Sequence, residues 1–206
     1  GASQVSCTHG DFTLGALKVF TVDYWVYYTS TPFLAAGCET MSLTLAGSNY
    51  FQVHTDNANG ILFYWGTDSA LAVSLANAQT YLSLNTWHHM AIAADGTNVR
   101  MFIDGVQRAT AACPASPNIT SSTLNLFSAG GSQYVPANTY IDEFRFSKGI
   151  ARWTADFDAA ALAGTRTKIN KTGLFLAQEV FLSPKNTEKF NLVSTPLNTL
   201  IIEEDV

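Results

Sequence analysis

The sequence predicts an all-β protein: one antiparallel two-sheet sandwich followed by an extended C-terminal arm. Three observations indicate this fold. Short runs of β-branched and aromatic residues recur along the chain, Gly, Asn and Asp separate these runs, and helix signals are almost absent. A chain of 206 residues is long enough for one core and short for two domains.

The first predicted strand is FTVDYWVYY at residues 20–28, which carries a single charge. Further strand candidates follow at short intervals: SLTLAG, YFQVHT, ILFYWG, LAVSL and TYLSL. Strands are also predicted at residues 123–127 and 140–146. The best helix candidate is residues 156–163, which form about two turns after a capping Asp.

A hairpin is predicted within NTWHHMAIAADGTNVRMFIDGVQ, residues 85–107. Its arms are residues 90–93 and 99–103, and each arm is followed by an Asp-Gly pair. Such pairs tolerate the positive φ angles that tight hairpin turns require. Asp104, in the second pair, is expected to close its turn through a side-chain-to-backbone hydrogen bond.

The composition changes after Gly164, where the chain becomes richer in Lys, Asn and Thr. We therefore divide it into a sandwich domain, residues 1–165, and an arm, residues 166–206. The arm contains two apolar runs, so it is expected either to cover a sheet of its own domain or to add a strand to a neighbouring subunit. The predicted assembly residues of the arm are Leu174, Phe175, Phe181, Leu200 and Ile201.

Bulk properties exclude several classes of function. The formal net charge of −5 gives no basic footprint, so nucleic acid is not an expected partner. No apolar run approaches the length of a spanning helix, so membrane insertion is not expected either. The N-terminus lacks the pattern of a secretory signal. The three cysteines are widely spaced and odd in number, and we expect free thiols.

Alternation along the strands assigns roles to several large or polar residues. Trp25 and Trp87 are expected to lie in the core between the sheets. His88 and His89 point to opposite faces, so one is expected to be buried and the other exposed. Arg145 is expected on an outward face, paired with a nearby carboxylate such as Asp142 or Glu143.

Three segments resemble the laminin G-like branch of the concanavalin A-like jelly rolls. They are FTVDYWVYY, then NTWHHMAIAADGTNVRMFIDGVQ, then YIDEFRFSKGIARWTADF, and together they span residues 20–157 in the order of that family. The resemblance implies a concanavalin A-like jelly roll. The segment KGIARWTADF is also similar to versions found in tailed-bacteriophage virion proteins.

The resemblance raises two chemical expectations. Some relatives hydrolyse polysaccharides with a carboxylate pair, but no such run of acids is present, so catalysis is not expected and no cofactor is required. Other members hold calcium, and Asp142 occupies the position that the family would use. Asp11 or the loop 57–59 would supply further ligands. The alternative for Asp142 is a capping or salt-bridging role.

A sugar-binding face needs exposed aromatic rings beside amides or acids. Tyr134 and Asn138 provide this composition in one loop, and Trp65 and Asp68 provide it in another. These four residues are the predicted ligand contacts, although either Trp65 or its neighbour Tyr64 must belong to the core. Trp153 is expected to pack against the sandwich, with exposure at an interface as the alternative.

Two functions remain open from the sequence. The first is a non-enzymatic bacteriophage virion protein, a capsid decoration protein or a tail or fibre component, which forms homo-oligomers and contacts other virion proteins after assembly in the host cytoplasm. The second is a carbohydrate-binding or adhesion module of an extracellular protein. A polysaccharide hydrolase is the third possibility, but the sequence lacks the carboxylate pair that such an enzyme needs.

Overall fold

The computed structural model describes residues 5–33, 38–43, 49–56, 60–67, 71–115, 117–126, 139–162, 190–194 and 200–204. The strands, in chain order, are β1 (Val5–Thr8), β2 (Val19–Tyr27), β3 (Cys38–Leu43), β4 (Asn49–Asp56), β5 (Gly60–Thr67), β6 (Leu71–Leu75), β7 (Trp87–Asp95), β8 (Asn98–Ile103), β9 (Val106–Ala112), β10 (Thr123–Leu126), β11 (Tyr140–Lys148), β12 (Phe190–Ser194) and β13 (Leu200–Glu204). Short 3-10 turns lie at Gly10–Phe12, Ala78–Thr80 and Ala160–Leu162.

The strands form two antiparallel sheets and a separate hairpin. The six-stranded sheet has the order β1-β10-β3-β4-β5-β6, and the five-stranded sheet has the order β11-β2-β7-β8-β9. Strands β12 and β13 pair with each other as a two-stranded sheet. The all-β jelly-roll prediction is therefore confirmed, and the order of strands mixes distant parts of the chain.

The core lies between the two large sheets and is rich in aromatic rings. Phe20 of β2 is fully buried, and its ring centroid lies 5.0 Å from that of Phe51 and 4.9 Å from that of Trp65 on the opposite sheet. Both contacts are edge-to-face, which is a favourable geometry for aromatic pairs. These cross-sheet contacts fix the six-stranded sheet relative to the five-stranded one.

The outer face of the five-stranded sheet is covered by residues 149–162, here called the clasp. Trp153 and Phe157 of the clasp stack with ring centroids 4.0 Å apart and pack against Phe102, Ala91 and Ala93. The clasp is anchored to the β8–β9 turn, because the Phe157 amide donates to the Gly105 carbonyl at 2.9 Å. Strands β2 and β7 are consequently buried on both faces.

The clasp explains two sequence predictions that are wrong. Trp25 does not lie between the sheets; it is buried on the outer face, where its ring lies 5.0 Å from that of His89. The predicted helix at residues 156–163 is reduced, within its described part, to the 3-10 turn Ala160–Leu162, which Asp158 caps through the Ala160 amide at 2.9 Å. Packing of Phe157 onto the sheet holds the preceding residues in a non-helical path.

Other predictions hold at the level of elements. The predicted hairpin is β7 and β8, with Gly96, Asp104 and Gly105 at positive φ as the turns require. The run TYLSL is the exception, since it begins in a 3-10 turn and continues without strand structure. Within the described ranges, no helical segment has the length and hydropathy for a membrane crossing.

Candidate functional site

The outer face of the six-stranded sheet presents a row of polar residues. Strand register places Ser6 opposite Asn125, Asn125 opposite Ser42, Ser42 opposite Gln52, and Gln52 opposite Tyr64. Their neighbours in sequence, such as Cys7, Leu124 and Phe51, point into the core, so alternation directs the polar row outward. We call these five residues the polar row.

The polar row combines groups that bind hydroxyl-rich or peptide ligands. It contains two hydroxyls, two carboxamides and a phenol, and Ser6 Oγ donates to Asn125 Oδ1 at 2.6 Å. The Gln52 Oε1 atom is buried and accepts no hydrogen bond from the described residues. Burial, and then the negative charge of Asp56, raise the pKa of Tyr64 above its usual value.

The predicted ligand contacts do not form one cluster within the described residues. Tyr134, Asn138 and Asp68 lie outside the described ranges. Trp65 is 0% exposed and packs on Phe20 in the core, so its ring cannot contact a ligand at the surface. The physical reason is alternation along β5, which turns Trp65 inward and its neighbour Tyr64 outward into the polar row. The sequence could not distinguish these two rings.

Only two of the five predicted assembly residues lie within the described ranges. Leu174, Phe175 and Phe181 lie outside the described ranges, whereas Leu200 and Ile201 lie in β13. Strand β13 approaches β1, the edge strand of the six-stranded sheet. The described part of the arm is therefore next to the sheet that carries the polar row.

Asp142, the predicted calcium ligand, lies at a β-bulge in β11. Its Oδ1 accepts a hydrogen bond from the Glu143 amide at 2.8 Å, and Glu143 has a positive φ of 51°. Asp11, a suggested co-ligand, contacts Lys148 near the far end of the strand through its carbonyl oxygen. Lys148 marks the place of Asp11, and positions 142 and 148 are roughly 20 Å apart along a strand. Asp142 and Asp11 are therefore too far apart to bind the same ion.

Metal-ligating side chains do not gather elsewhere in the described ranges, where no three His, Cys, Asp or Glu residues are placed to share an ion. Asp142 makes a local side-chain-to-backbone contact, and its role as a calcium ligand stays a prediction. The second suggested calcium partner, the loop 57–59, lies outside the described residues.

Beneath the clasp lies a buried ionic group centred on Asp23. Arg145 binds both oxygens of the Asp23 carboxylate, at 3.0 and 2.8 Å, and His89 Nε2 lies 3.2 Å from the second oxygen. Arg145 thus pairs with a carboxylate, as predicted, but the partner is Asp23 and not the suggested Asp142 or Glu143, because cross-strand register places Arg145 opposite Asp23. Both His88 and His89 are buried, not one of them, since the clasp covers the outward face.

Ser83, His88 and Asp104 have the connectivity of a nucleophile–base–acid triad. Ser83 Oγ lies 3.0 Å from His88 Nε2, and His88 Nδ1 lies 2.7 Å from Asp104 Oδ2. The same Nε2 also lies 3.2 Å from the Ser83 carbonyl oxygen, so His88 contacts both the side chain and the backbone of Ser83. The group ties the loop before β7 to the β8–β9 turn.

The Asp104 carboxylate also holds the hairpin from within. Its Oδ1 accepts from the His89 amide at 2.8 Å, so the expected side-chain-to-backbone bond crosses to β7 and does not close its own turn. Burial raises the pKa of Asp104, but the hydrogen bonds from His88 and from the His89 amide outweigh burial, and the net pKa lies below the usual value. In the sequence, the signal for the contact of Asp104 with His88 and His89 is the His-His pair on one arm of the hairpin and the second Asp-Gly pair at the end of the other arm.

Comparison with known proteins identifies the class of this fold. Residues 1–152 match a family model described as the concanavalin A-like lectin/glucanases superfamily, of laminin G type. The chain belongs to this family, as its jelly-roll sandwich also shows. Among curated proteins, none matches the chain in sequence.

Solved structures show the same fold at low sequence identity. The botulinum neurotoxin serotype D binding domain superposes with a TM-score of 0.56 at 10% identity, over 73% of this chain and 37% of that chain. The serotype D ligand-binding domain in complex with N-acetylneuraminic acid gives a TM-score of 0.57 at 11% identity, over 74% of this chain and 38% of that chain. This chain thus spans less than two-fifths of these neighbours, and the likeness concerns the fold.

Proposed function

We propose that this chain is a non-enzymatic structural protein of a bacteriophage virion, a capsid decoration protein or a tail or fibre component, that acts through assembly. The observation that supports assembly most directly is the β12–β13 hairpin. In the described part of the chain, this hairpin pairs with neither sheet of the sandwich. A two-stranded hairpin is marginally stable alone in water, so it requires another surface to pack on.

The sequence of the hairpin supports the same role. Six of the ten residues in FNLVS and LIIEE are Phe, Leu, Val or Ile. Paired strands of this composition bind a sheet edge or an apolar surface, either in the same chain or in a neighbouring subunit. The similarity of KGIARWTADF to segments of tailed-bacteriophage proteins supports the virion setting, with assembly in the host cytoplasm.

Light scattering on the full chain and on a chain ending at Gly164 tests this proposal. We expect the full chain to form a defined homo-oligomer and the shortened chain to be a folded monomer, as judged by circular dichroism. A full chain that stays monomeric at high concentration contradicts the assembly role.

The polar row favours a second candidate, a carbohydrate-binding or adhesion module of a secreted or cell-surface protein. Hydroxyls, carboxamides and a phenol on one sheet face provide the hydrogen-bonding groups that sugar hydroxyls need. Two structural neighbours are described in complexes with N-acetylneuraminic acid and with SialylT. Tyr134, Asn138 and Asp68 remain predicted ligand contacts for this candidate, and calcium at Asp142 remains its predicted ion.

Titration calorimetry with sialyllactose and neutral oligosaccharides tests the second candidate. We expect Gln52→Ala and Tyr64→Ala to weaken binding by at least tenfold, whereas Ser74→Ala, an exposed position on the same sheet, leaves binding unchanged. Equal affinity in all three variants, or no binding by the wild type, contradicts this candidate.

A further inference from the structure

Residues at the centre of the outer face of the six-stranded sheet are buried, although they point away from the core. Leu62 faces away from the core between His54 and Ser74, yet it is only 2% exposed. In the polar row, Ser42 is 0%, Asn125 6% and Gln52 7% exposed. An outward Leu on an uncovered sheet would keep contact with water, so this face is covered at its centre.

Exposure rises towards both edges of the same sheet. Ser6 and Thr8 on β1 are exposed, and so are Leu71 and Ser74 on β6. The described clasp packs on the other sheet and does not account for this pattern. The buried part of this face is therefore formed by strands β10, β3, β4 and β5, and the edge strands lie outside it.

We propose that the outer face of the six-stranded sheet is the docking face of the chain's own C-terminal arm, whose described part is the β12–β13 hairpin. Strand β13 approaches β1, so the hairpin is already beside this sheet within one chain. The clasp ends beyond the β8–β9 turn, where Phe157 and Asp156 bind Gly105 and Gln107.

The chemistry of the face suits a peptide strand as occupant. Leu62 is an apolar side chain at the centre of this face, and the sequence of the hairpin is rich in Phe, Leu, Val and Ile. The buried Gln52 Oε1 lacks a donor among the described residues, and a backbone N–H of the arm would supply one. An unsatisfied buried acceptor costs free energy, so this bond favours docking.

A contact of the arm within one chain does not depend on the proposed assembly function.

Hydrogen-exchange mass spectrometry on the full chain tests the proposal, with Leu62→Lys as the variant and Ser74→Lys as its matched control. We expect residues 200–204 to be protected in the wild type, to exchange at least tenfold faster in Leu62→Lys, and to be unchanged in Ser74→Lys. Unchanged protection in Leu62→Lys, while β7 and β8 remain protected, overturns the proposal.

Cysteine labelling provides a second measurement, which does not depend on correct folding of the Leu62→Lys variant. Ser42→Cys should resist maleimide in the full chain and react in a chain that also carries Leu200→Asp and Ile201→Asp, with peptide mapping to locate the label. Equal labelling in both overturns arm docking.

Light scattering on the same samples separates this proposal from the assembly function. A monomer with a protected arm supports docking within one chain and refutes assembly. An oligomer whose arm loses protection on dilution shows docking between chains and overturns the proposal.

Discussion

At the scale of the residue, carboxylates hold the central hairpin through local hydrogen bonds. Asp95 accepts from the Asn98 amide at 2.7 Å and the Thr97 amide at 2.8 Å, and Arg100 binds its second oxygen at 2.7 Å. These bonds, that of the Asn98 amide first and that of Arg100 next, lower the pKa of Asp95 to about 2. Asp104 performs the corresponding task at the other end of β8, with His88 and the His89 amide as donors.

These two aspartates predict how stability depends on pH. Because the folded state lowers both pKa values, the stabilisation is present in full above the unfolded pKa near 4 and is lost as the pH falls towards 2. We expect urea unfolding to show a decline in stability from pH 4 to pH 2 that is shallower in Asp95→Asn. An identical decline in the variant would show that Asp95 does not contribute to it.

At the scale of the element, the clasp turns a sheet face that alternation would leave in water into a second core. Its backbone joins β2, because Thr21 Oγ1 donates to the Ile150 carbonyl and accepts from the Arg152 amide, both at 2.9 Å. Its rings cover Asp23, Arg145 and His89, whose ionic group would otherwise be solvated. Desolvation and the nearby Arg145 guanidinium lower the pKa of Arg152, while Asp23 acts in the opposite direction.

Removing the main ring of the clasp tests this role. Trp153→Ala loses the stack on Phe157 and the contact with His89, and we expect a loss of about 2 kcal/mol, below the range for a fully buried Trp because Trp153 is half-buried. The exposed neighbour substitution Thr154→Ala should stay within about 0.5 kcal/mol of the wild type. Denaturant unfolding of the two variants gives the comparison, and equal stabilities would contradict the clasp's role.

The backbone of the clasp also approaches the β8–β9 turn so closely that only glycine fits at position 105. Gly105 has a φ of 78°, and a Cβ at this position would collide with the Phe157 carbonyl oxygen. The turn and the clasp therefore depend on each other, and the second Asp-Gly pair serves both the hairpin and this contact.

At the scale of the whole molecule, the sequence predicts the sandwich well, because strand runs and Asp-Gly turns are local signals. The sequence predicts less well which residues are buried on each face of the sheets. The burial of Trp25 and His89 on the outer face depends on a clasp more than 50 positions away in the chain. Likewise, Tyr64 and Trp65 differ only in the direction that β5 gives them, and the polar row exists only through the register of five strands. The arm, whose sequence resembles no named part of the family, is the remaining question.

The most direct measurement is the solution mass of the full chain by light scattering, compared with the full chain carrying Leu200→Asp and Ile201→Asp. Asn191→Asp on the paired strand serves as the control for added charge. If the arm is the assembly element, the wild type and the control form the same oligomer and the double variant is a folded monomer. A double variant with the mass of the wild-type oligomer, or a wild type that is itself monomeric, would contradict the assembly function.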